Sequence, residues 1–353
     1  MNIRTKISPS DAVDLWNDFA LSFPSTVPYS FNPSLFFFFQ QHFNWKPYYF
    51  ILQDNGTTIG LLPVVNTGKA WVSLPHFSYG GILTNRNIPK AELIDNLLRL
   101  VKENHLPSGF YKVNYEEVVK IPVSGVDTYF IRSFGDQRDD AFKSSEKATY
   151  VLKVKEQETL FESLGSNLRR KIRKASEKGF EFRTGKTALL DDFYSVYTRN
   201  IRLLHSLNYD KRFFKDLLDA WDFGAMDLFV VYQKGKPVAS ALTASYGSFY
   251  ENLYFATLPE VRKDYISDWL HWQMITHFLS SGRDKAITYS FGRSTVNSSV
   301  HRYKKHWPVE VIPLYVYSNL DTKASNPVYH TILKLLPGSL VRMLSPHLIK
   351  HIY

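Results

Sequence analysis

Residues 48–65 read YYFILQDNGTTIGLLPVV, and residues 228–246 read LFVVYQKGKPVASALTASY. In each stretch, an apolar run is followed by a glycine-containing turn and then by a second apolar run. Asn55-Gly56 tolerates the positive φ of a tight hairpin turn, and Lys234-Gly235-Lys236 is the corresponding turn of the second stretch. The two stretches predict two β-hairpins roughly 180 residues apart, which indicates an internal duplication.

The segments around the hairpins alternate between helical and extended patterns. The predicted elements are a helix over Asp11–Phe19, a strand over Ala70–Leu74, a helix over Lys90–Glu103, a strand over Phe249–Ala256, a helix over Asp264–Ser281 and a strand over Ala286–Phe291. This alternation favours an α/β (α+β) fold with mixed sheets flanked by helices. We expect an N-terminal domain over residues 1–150, a C-terminal domain over residues 151–320 and a tail over residues 321–353.

The composition limits the classes of protein to which the chain can belong. It has 353 residues, a hydrophobic fraction of 44%, a net charge of +10 and no cysteine. A core of ordinary size is therefore expected, whereas disulfides, cysteine-ligated zinc and a thiol nucleophile are excluded. No spacing typical of a metal site occurs, and no metal is expected. The positive charge favours anionic partners such as phosphates, RNA or an acidic membrane surface.

A strongly basic helix is predicted over Ser166–Lys178, with Ser166 as its N-cap and Gly179 as its stop signal. Its apolar face is narrow and consists of Leu168, Ile172 and Ala175. Among the basic side chains on the remaining surface are Arg169, Arg170 and Arg173. A charge run of this kind is either a solvated face or an anion-binding surface. In the second alternative, these three arginines bind the substrate.

The region after the second hairpin resembles the GNAT acyltransferase fold, in which a strand, a phosphate-binding turn and a helix hold the pyrophosphate of the donor. The matching stretches are Glu251–Pro259, Arg262–Ser267 and the helix from Asp268 onward. The resemblance makes Arg262, the first residue of the turn, a donor-binding residue. Tyr265 and Ser267 stand where the family has glycine. We therefore predict that the donor phosphates do not lie in an ordinary glycine cradle.

Two tandem domains with altered phosphate turns resemble the FemAB-like acyltransferases, relatives of the peptidoglycan bridge-forming aminoacyl transferases. The similarity is greatest to the FemAB-related proteins of exopolysaccharide and protein-sorting loci. It runs from about Trp16 to Tyr317 and depends on these stretches: Ser73–Pro75 with Tyr79–Gly81, Ser166–Gly179, Phe193–Leu218, Phe291–Thr295, Ser298 and Tyr303–Trp307. It departs at Asn114-Tyr115 and Asn208-Tyr209. It implies an acyltransferase that acts on a cell-envelope precursor or polysaccharide, with Tyr79 in the substrate site.

Acyl transfer requires a base for the acceptor and a proton donor for the leaving group. Asp268 and His271 lie three residues apart, hence on one face of the predicted helix, and both are candidate bases. Glu251 on the preceding strand is a third candidate. Tyr254 is the candidate donor to the leaving group. Two of these residues also have a purely structural interpretation. Asp268 could instead cap the N-terminus of the helix, and Tyr254 could instead pack in the core.

An anionic donor or acceptor also requires cationic and hydroxyl groups at the site. Arg293 and Ser294 follow a predicted strand in a glycine-containing turn, where α/β folds tend to bind ligands. Lys304 is a candidate to balance a phosphate. The alternative for Arg293 is a structural ion pair across the sheet.

The resemblance implies acyl-CoA or aminoacyl-tRNA as the donor and no tightly bound cofactor. The tail over residues 321–353 alternates Leu and Ile with basic residues, so it either lies in lipid headgroups or docks on the C-terminal domain. The chain lacks a signal-peptide pattern and a membrane-spanning stretch. We expect a cytoplasmic protein, peripheral at the inner membrane face if the tail binds lipid. Rival hypotheses are an RNA-binding module, for which tRNA is a possible partner, and a membrane-surface scaffold without catalysis.

Overall fold

The computed structural model describes residues 2–6, 10–23, 27–68, 70–85, 110–112, 118–120, 129–134, 143–281, 286–318, 344–345 and 348–349. The chain divides into two compact units. Unit 1 comprises residues 1–148, 312–321 and 353, and unit 2 comprises residues 149–311 and 322–352.

Unit 1 combines short helices with strands of very different length. Its elements are β1 (Asn2–Lys6), α1 (Ser10–Leu21), a 3-10 turn (Tyr29–Phe31), α2 (Ser34–Phe43), β2 (Lys46–Asp54), β3 (Thr57–Asn66), β4 (Trp71–Val72), β5 (Leu83–Thr84), β6 (Phe110–Lys112), β7 (Val118–Lys120) and β8 (Tyr129–Phe134). Strand β9 (Lys143–Val154) begins in this unit and continues into unit 2.

Unit 2 contains the longer helices. Its elements are α3 (Gln157–Ser163), α4 (Ser166–Ser176), β10 (Glu181–Gly185), a 3-10 turn (Thr187–Leu189), α5 (Leu190–Leu203), α6 (Lys211–Ala220), β11 (Met226–Gln233), β12 (Lys236–Tyr246), β13 (Phe249–Thr257), α7 (Pro259–Arg262), α8 (Ile266–Ser280), β14 (Ile287–Ser290), β15 (Ser294–Thr295) and α9 (Ser299–Lys304). Strand β16 (Glu310–Ser318) begins in unit 2 and returns to unit 1 at Ile312.

The two units share one strand topology. In unit 1 the strand order is β1-β2-β3-β4-β8-β16, and in unit 2 it is β10-β11-β12-β13-β14-β9. In both, the first three pairings are antiparallel, the fourth is parallel and the fifth is antiparallel. The expected α/β fold with a duplicated, tandem arrangement is therefore confirmed.

The two predicted hairpins agree in finer detail. Asn55 and Gly56 both have positive φ, as do Lys234 and Gly235, so both connections are tight two-residue turns. Each hairpin also has a register shift at the same distance from its turn, which leaves one extra residue three positions after the glycine. A bulge at the equivalent position twists both hairpins alike.

Three details differ from the sequence-based expectations. Residues 312–318 were expected in the C-terminal domain, but they pair with β8 and so belong to unit 1. Gly165, and not Ser166, is the N-cap of α4. The predicted helix over Lys90–Glu103, the departure at Asn114-Tyr115 and most of the tail over residues 321–353 lie outside the described residues.

No helix among the described residues is long and apolar enough to cross a bilayer. Those residues also contain no group of three or more histidine, aspartate or glutamate side chains arranged to hold a metal ion.

A close backbone approach organises the turn that follows β4. A Cβ atom added to Gly80 would lie 2.6 Å from both the carbonyl oxygen and Oγ of Ser73. The hydroxyl of Ser73 donates to the Pro63 carbonyl at 2.7 Å and accepts from the Gly81 amide at 2.8 Å. Any side chain at position 80 would therefore push apart a hydrogen-bonded centre that joins this turn to β3.

We predict that Gly80→Ala lowers the free energy of unfolding by about 1–3 kcal/mol, the usual cost of forcing an extra carbon into a packed site. Gly165→Ala is the matched control, because a Cβ there has nothing within 4 Å and its φ is −56°. Urea unfolding followed by circular dichroism measures both variants. Equal stability of the two variants would contradict the close approach of Gly80 to Ser73.

Candidate functional site

Strands β13 and β14 of unit 2 run parallel for only three residue pairs and then part. The pairs are Phe249 with Thr288, Tyr250 with Tyr289 and Glu251 with Ser290. Strand β13 continues to Thr257 and stays paired with β12, whereas β14 ends at Ser290. The carboxyl ends of the two parallel strands thus enclose a wedge, and such ends are where α/β folds bind ligands.

The wedge begins at Gly292, which has a φ of +74°. A Cβ atom on this residue would lie 2.8 Å from the Asn252 carbonyl oxygen of β13. The Gly292 amide donates to Ser290 Oγ at 3.1 Å. Only glycine combines this φ with this approach, so the turn after β14 is fixed against β13 at the point where the strands part.

Lys304 holds the same turn from α9. Its Nζ donates to the Gly292 carbonyl at 2.7 Å and to the Arg293 carbonyl at 3.2 Å, and it lies 5.1 Å from the centre of the Tyr150 ring. Burial lowers the pKa of Lys304 to about 7, against the attraction of Glu251. The sequence-based role for Lys304 was to balance a substrate phosphate. The structure instead places this ammonium inside the protein, on backbone carbonyls.

Glu251 is a fully buried carboxylate on β13. Its Oε1 would lie 3.7 Å from a Cβ on Gly292, and its charge acts on both Lys304 and Tyr289. The two side chains attract each other in the protein interior, and leaving one member of such a buried pair without the other destabilises a fold. This geometry favours a supporting role for Glu251 over the role of general base.

His271 on α8 is enclosed by aromatic rings. It stacks on Phe255 of β13 at 4.3 Å with an interplanar angle of 3°, and its ring lies 4.6 Å from that of Phe291. Its Nδ1 shares a hydrogen bond of 2.8 Å with the Tyr289 hydroxyl. Burial, and next the charge of Lys304, hold the pKa of His271 well below its ordinary value. The imidazole is therefore neutral at pH 7.

Asp268, one helical turn before His271, has a different environment. Its Oδ2 lies 3.6 Å from Lys171 Nζ of α4, while its Oδ1 is buried and makes no well-formed hydrogen bond. Burial raises the pKa of Asp268, against the opposing effects of Lys171, Tyr303 and His306. Asp268 and His271 share one helix face as the sequence predicts, but only the carboxylate keeps an uncommitted acceptor atom.

Two side chains that the sequence analysis did not select complete the surroundings of Asp268. The Tyr303 hydroxyl lies beside Asp268 and beside Trp307, and burial raises its pKa well above the usual value. Tyr303 Oη and Trp307 Nε1 are buried without a well-formed hydrogen bond. Asp268, Tyr303 and Trp307 therefore form a buried cluster in which one acceptor and two donors face one another. In the sequence, the signal for Tyr303 and Trp307 is the stretch Tyr303–Trp307 after Ser298, which indicates a family resemblance but no role for either side chain.

Tyr254 lies apart from this cluster. Its neighbour Phe255 faces His271, and because side chains alternate along a strand, Tyr254 faces the other side of the sheet. There it packs against Phe214 at 5.0 Å and Tyr197 at 5.9 Å. The structure thus does not bring Tyr254 together with Asp268. Its contacts match the alternative given above, in which Tyr254 packs in the core.

Arg262 and Tyr265 build the turn before α8. Arg262 donates to the Thr257 carbonyl at 2.8 Å and to Asn200 Oδ1 at 2.9 Å, which joins the end of β13 to α5. Tyr265 has a φ of +59°, the conformation that the family's glycine adopts readily. Lys178 of the α4 region pairs with Asp264 at 3.2 Å. The turn is thus occupied by the protein's own side chains.

The remaining candidates fall in separate places. Arg293 and Ser294 are half-buried in the turn that Lys304 holds. On α4, Arg169 donates to the Glu162 carbonyl, Arg170 donates to Asn167 and Arg173 lies over the Phe161 ring. Tyr79 belongs to unit 1, where it is buried with its ring 6.2 Å from that of Tyr29.

The comparison with protein families gives one match in unit 2. Residues 163–305 match the family model described as an acetyltransferase (GNAT) domain. This range includes α4, both strands of the wedge, α8 and α9. No curated protein sequence matches the chain at a significant level.

Solved structures extend the similarity of fold to nearly the whole chain. FemX is 14% identical, with 94% of this chain and 100% of FemX covered and a TM-score of 0.59. L-PGS from Bacillus licheniformis is 11% identical, with 97% and 99% covered and a TM-score of 0.53. A tandem GNAT protein from the clavulanic acid biosynthesis pathway is 8% identical, with 90% and 98% covered and a TM-score of 0.52.

At these identities the solved structures show a shared fold, and the family match adds the GNAT acetyltransferase domain. The chain therefore contains a GNAT acetyltransferase domain over residues 163–305, within a fold that it shares with FemX and with a tandem GNAT protein.

Proposed function

We propose that this protein transfers an acyl or aminoacyl group to an amine or hydroxyl of a cell-envelope precursor or polysaccharide. The observation that supports it best is the wedge between β13 and β14. Beyond Glu251, the N–H groups of β13 that point away from β12 have no strand beside them in the described part of unit 2. A donor carbonyl in the wedge can accept hydrogen bonds from these groups, which stabilises the developing oxyanion.

The donor is acyl-CoA, as is typical of GNAT domains, or an aminoacyl-tRNA. The turn before α8 supports a donor whose phosphates bind elsewhere. Arg262 is engaged with Thr257 and Asn200, and Asp264 and Asp268 place two carboxylates where a pyrophosphate would approach. Arg293, in the turn after β14, is the proposed contact for the anionic part of the substrate, and the neighbouring Ser294 hydroxyl is the proposed contact for the reacting end of the donor.

Asp268 is the proposed proton acceptor. The buried imidazole of His271 is committed to Tyr289, and the carboxylate of Glu251 lies beside Lys304. Asp268 keeps an oxygen without a well-formed hydrogen bond, and burial raises its pKa toward the range in which a carboxylate accepts a proton more readily. Tyr303 and Trp307 are positioned to orient the acceptor beside it.

We predict that Asp268→Asn lowers the rate of transfer by about 100-fold, the usual contribution of a positioned base. The amide keeps the shape of the carboxylate, so folding should be preserved. Transfer of radiolabel from acetyl-CoA, and in a parallel experiment from a mixture of charged tRNAs, into isolated envelope polysaccharide and lipid-linked precursor measures the rate.

Asp264→Asn is the matched control, because Asp264 lies at the same turn and pairs with Lys178 at the surface. We expect it to keep most of the activity. An active wild-type protein with a fully active Asp268→Asn variant would overturn the assignment of the base. A wild-type protein that transfers from neither donor would overturn the proposed function.

The neutral state of His271 gives a prediction for the pH dependence of stability. Its pKa in the folded protein lies well below the value of 6.5 that it has when unfolded, so the unfolded chain binds more protons below pH 6.5. The stability that this histidine contributes is therefore present above pH 6.5 and is lost as the pH falls. The limiting slope for one proton is about 1.4 kcal/mol per pH unit.

We predict that His271→Gln, which can still bond Tyr289, shows a shallower loss of stability between pH 6.5 and pH 5 than the wild type. His306→Gln is the control, because that ring is exposed. Urea unfolding at several pH values measures the slopes. Parallel curves for His271→Gln and the wild type would show that folding does not lower the pKa of His271.

The arginines on the outer face of α4 are the proposed binding surface for tRNA or acidic lipid; Arg170 and Arg173 are exposed, and Arg169 is half-buried. We predict that the triple reversal of Arg169, Arg170 and Arg173 to Glu weakens binding of tRNA and of phosphatidylglycerol vesicles, and flattens its salt dependence. Reversal of Lys155, Lys186 and Lys236, which are exposed elsewhere in unit 2, is the charge-matched control. Equal salt slopes for both triple variants would make α4 an ordinary solvated face.

A further inference from the structure

Transfer needs a proton for the leaving atom as well as a base for the acceptor. Tyr254, the residue that the sequence suggested for this step, packs on the other face of β13. The turn after β14 carries a different set of polar groups. Tyr150 of β9, Ser294 of the turn and His301 of α9 lie next to one another, and neither Tyr150 nor His301 has a part in the function proposed above.

The contacts among the three side chains form a chain from the turn to the surface. The Tyr150 hydroxyl lies 2.5 Å from His301 Nδ1. The Ser294 hydroxyl lies beside the Tyr150 hydroxyl, where it lowers the pKa of that phenol against the larger effect of burial. Tyr150 is fully buried, whereas His301 is half-exposed. The imidazole can therefore exchange protons with water, and the tyrosine connects it with the interior.

Ser294 is the end of this chain that can meet a ligand. Its Oγ is buried and makes no well-formed hydrogen bond within the described residues. It belongs to the same turn as Gly292, at the mouth of the wedge, and Lys304 fixes the carbonyl immediately before it. The hydroxyl is thus presented by a rigid backbone and keeps capacity for one more partner.

We propose that Ser294, Tyr150 and His301 form a proton path to the leaving atom of the acyl donor, an inference that rests on the proposed transfer reaction. Ser294 touches the donor, while Tyr150 and His301 are positioning residues that supply the proton through it. The half-exposed ring of His301 recovers its proton from solvent.

The acceptor nitrogen or oxygen attacks the acyl carbon with its electron pair and loses its proton to Asp268. The bond from the acyl carbon to the donor sulfur or oxygen breaks, and its electron pair stays on the leaving atom. That atom takes the proton of Ser294 Oγ, Ser294 takes the proton of the Tyr150 hydroxyl, and Tyr150 takes one from His301 Nδ1 while the other ring nitrogen of His301 takes one from water.

A second tyrosine–histidine pair in unit 2 is a natural comparison. The Tyr289 hydroxyl and His271 Nδ1 are 2.8 Å apart, but both residues are buried, and Phe255 and Phe291 enclose the imidazole. This pair has no exposed end from which a proton could be replaced. It is the matched structural control for the pair that reaches the surface.

Donors with different leaving groups test the proposal. A poor leaving group needs a proton in the transition state, whereas an aryl thiolate or nitrophenolate leaves without one. Tyr150→Phe, His301→Gln and Ser294→Ala would be assayed with acetyl-CoA against S-phenyl thioacetate. Charged tRNA would be assayed against amino-acid p-nitrophenyl esters. Tyr289→Phe is the control, and circular dichroism confirms folding; His301→Gln alters only a half-exposed ring.

We expect the three path variants to lose about 100-fold in transfer from the natural donor and less than about threefold from the activated one. Tyr289→Phe should affect both donors equally. Equal losses from both donors in the path variants would overturn the proton path while leaving the proposed function intact. A wild-type protein that transfers from none of the four donors would overturn the proposed function itself.

Discussion

The ammonium of Lys304 on the carbonyls of Gly292 and Arg293 is the contact on which the architecture of unit 2 depends. These carbonyls belong to the turn that ends β14 and takes the chain away from β13. Glu251, buried on β13, provides the countercharge that makes a buried lysine tolerable. Because the turn is fixed on both sides, the two parallel strands part at one defined residue pair, and α8 and α9 can place their side chains over the opening.

The duplication explains why this opening lies where it does. Each unit repeats one strand order with a single parallel pair, and each begins with a hairpin that has the same tight turn and the same bulge. In unit 1 the parallel pair joins Trp71 and Val72 to Tyr129 and Phe130. In unit 2 the parallel pairing is one residue pair longer and ends at Glu251 and Ser290, a buried carboxylate and a buried hydroxyl.

The two faces of helix α4 have different contacts. Its buried face consists of Leu168, Ile172 and Ala175, and Lys171 at its margin reaches Asp268 of α8. That contact lowers the pKa of a carboxylate that burial raises, so α4 tunes the proposed base. Among the interactions described above, the arginines of the outer face contact residues close to them in sequence. Arg169 contacts Glu162, Arg170 contacts Asn167 and Arg173 contacts Phe161.

The sequence by itself determined the local elements and the duplication. Asn55-Gly56 and Lys234-Gly235 specify their turns through backbone conformation, and the apolar spacing of α4 specifies its buried face, because both are properties of neighbouring residues. It also placed Asp268 and His271 on one helix face. The pairing of residues 312–318 with β8, the side of β13 that Tyr254 occupies, and the burial of Lys304 were decided only by the tertiary structure. These features depend on which distant segments come together. Burial then sets the charge of each side chain and the hydrogen-bonding groups that it has left for a ligand. For the same reason Tyr150 and His301 carried no distinguishing signal in the sequence: a tyrosine becomes a group that can pass on a proton only when folding places a histidine or a carboxylate at its hydroxyl.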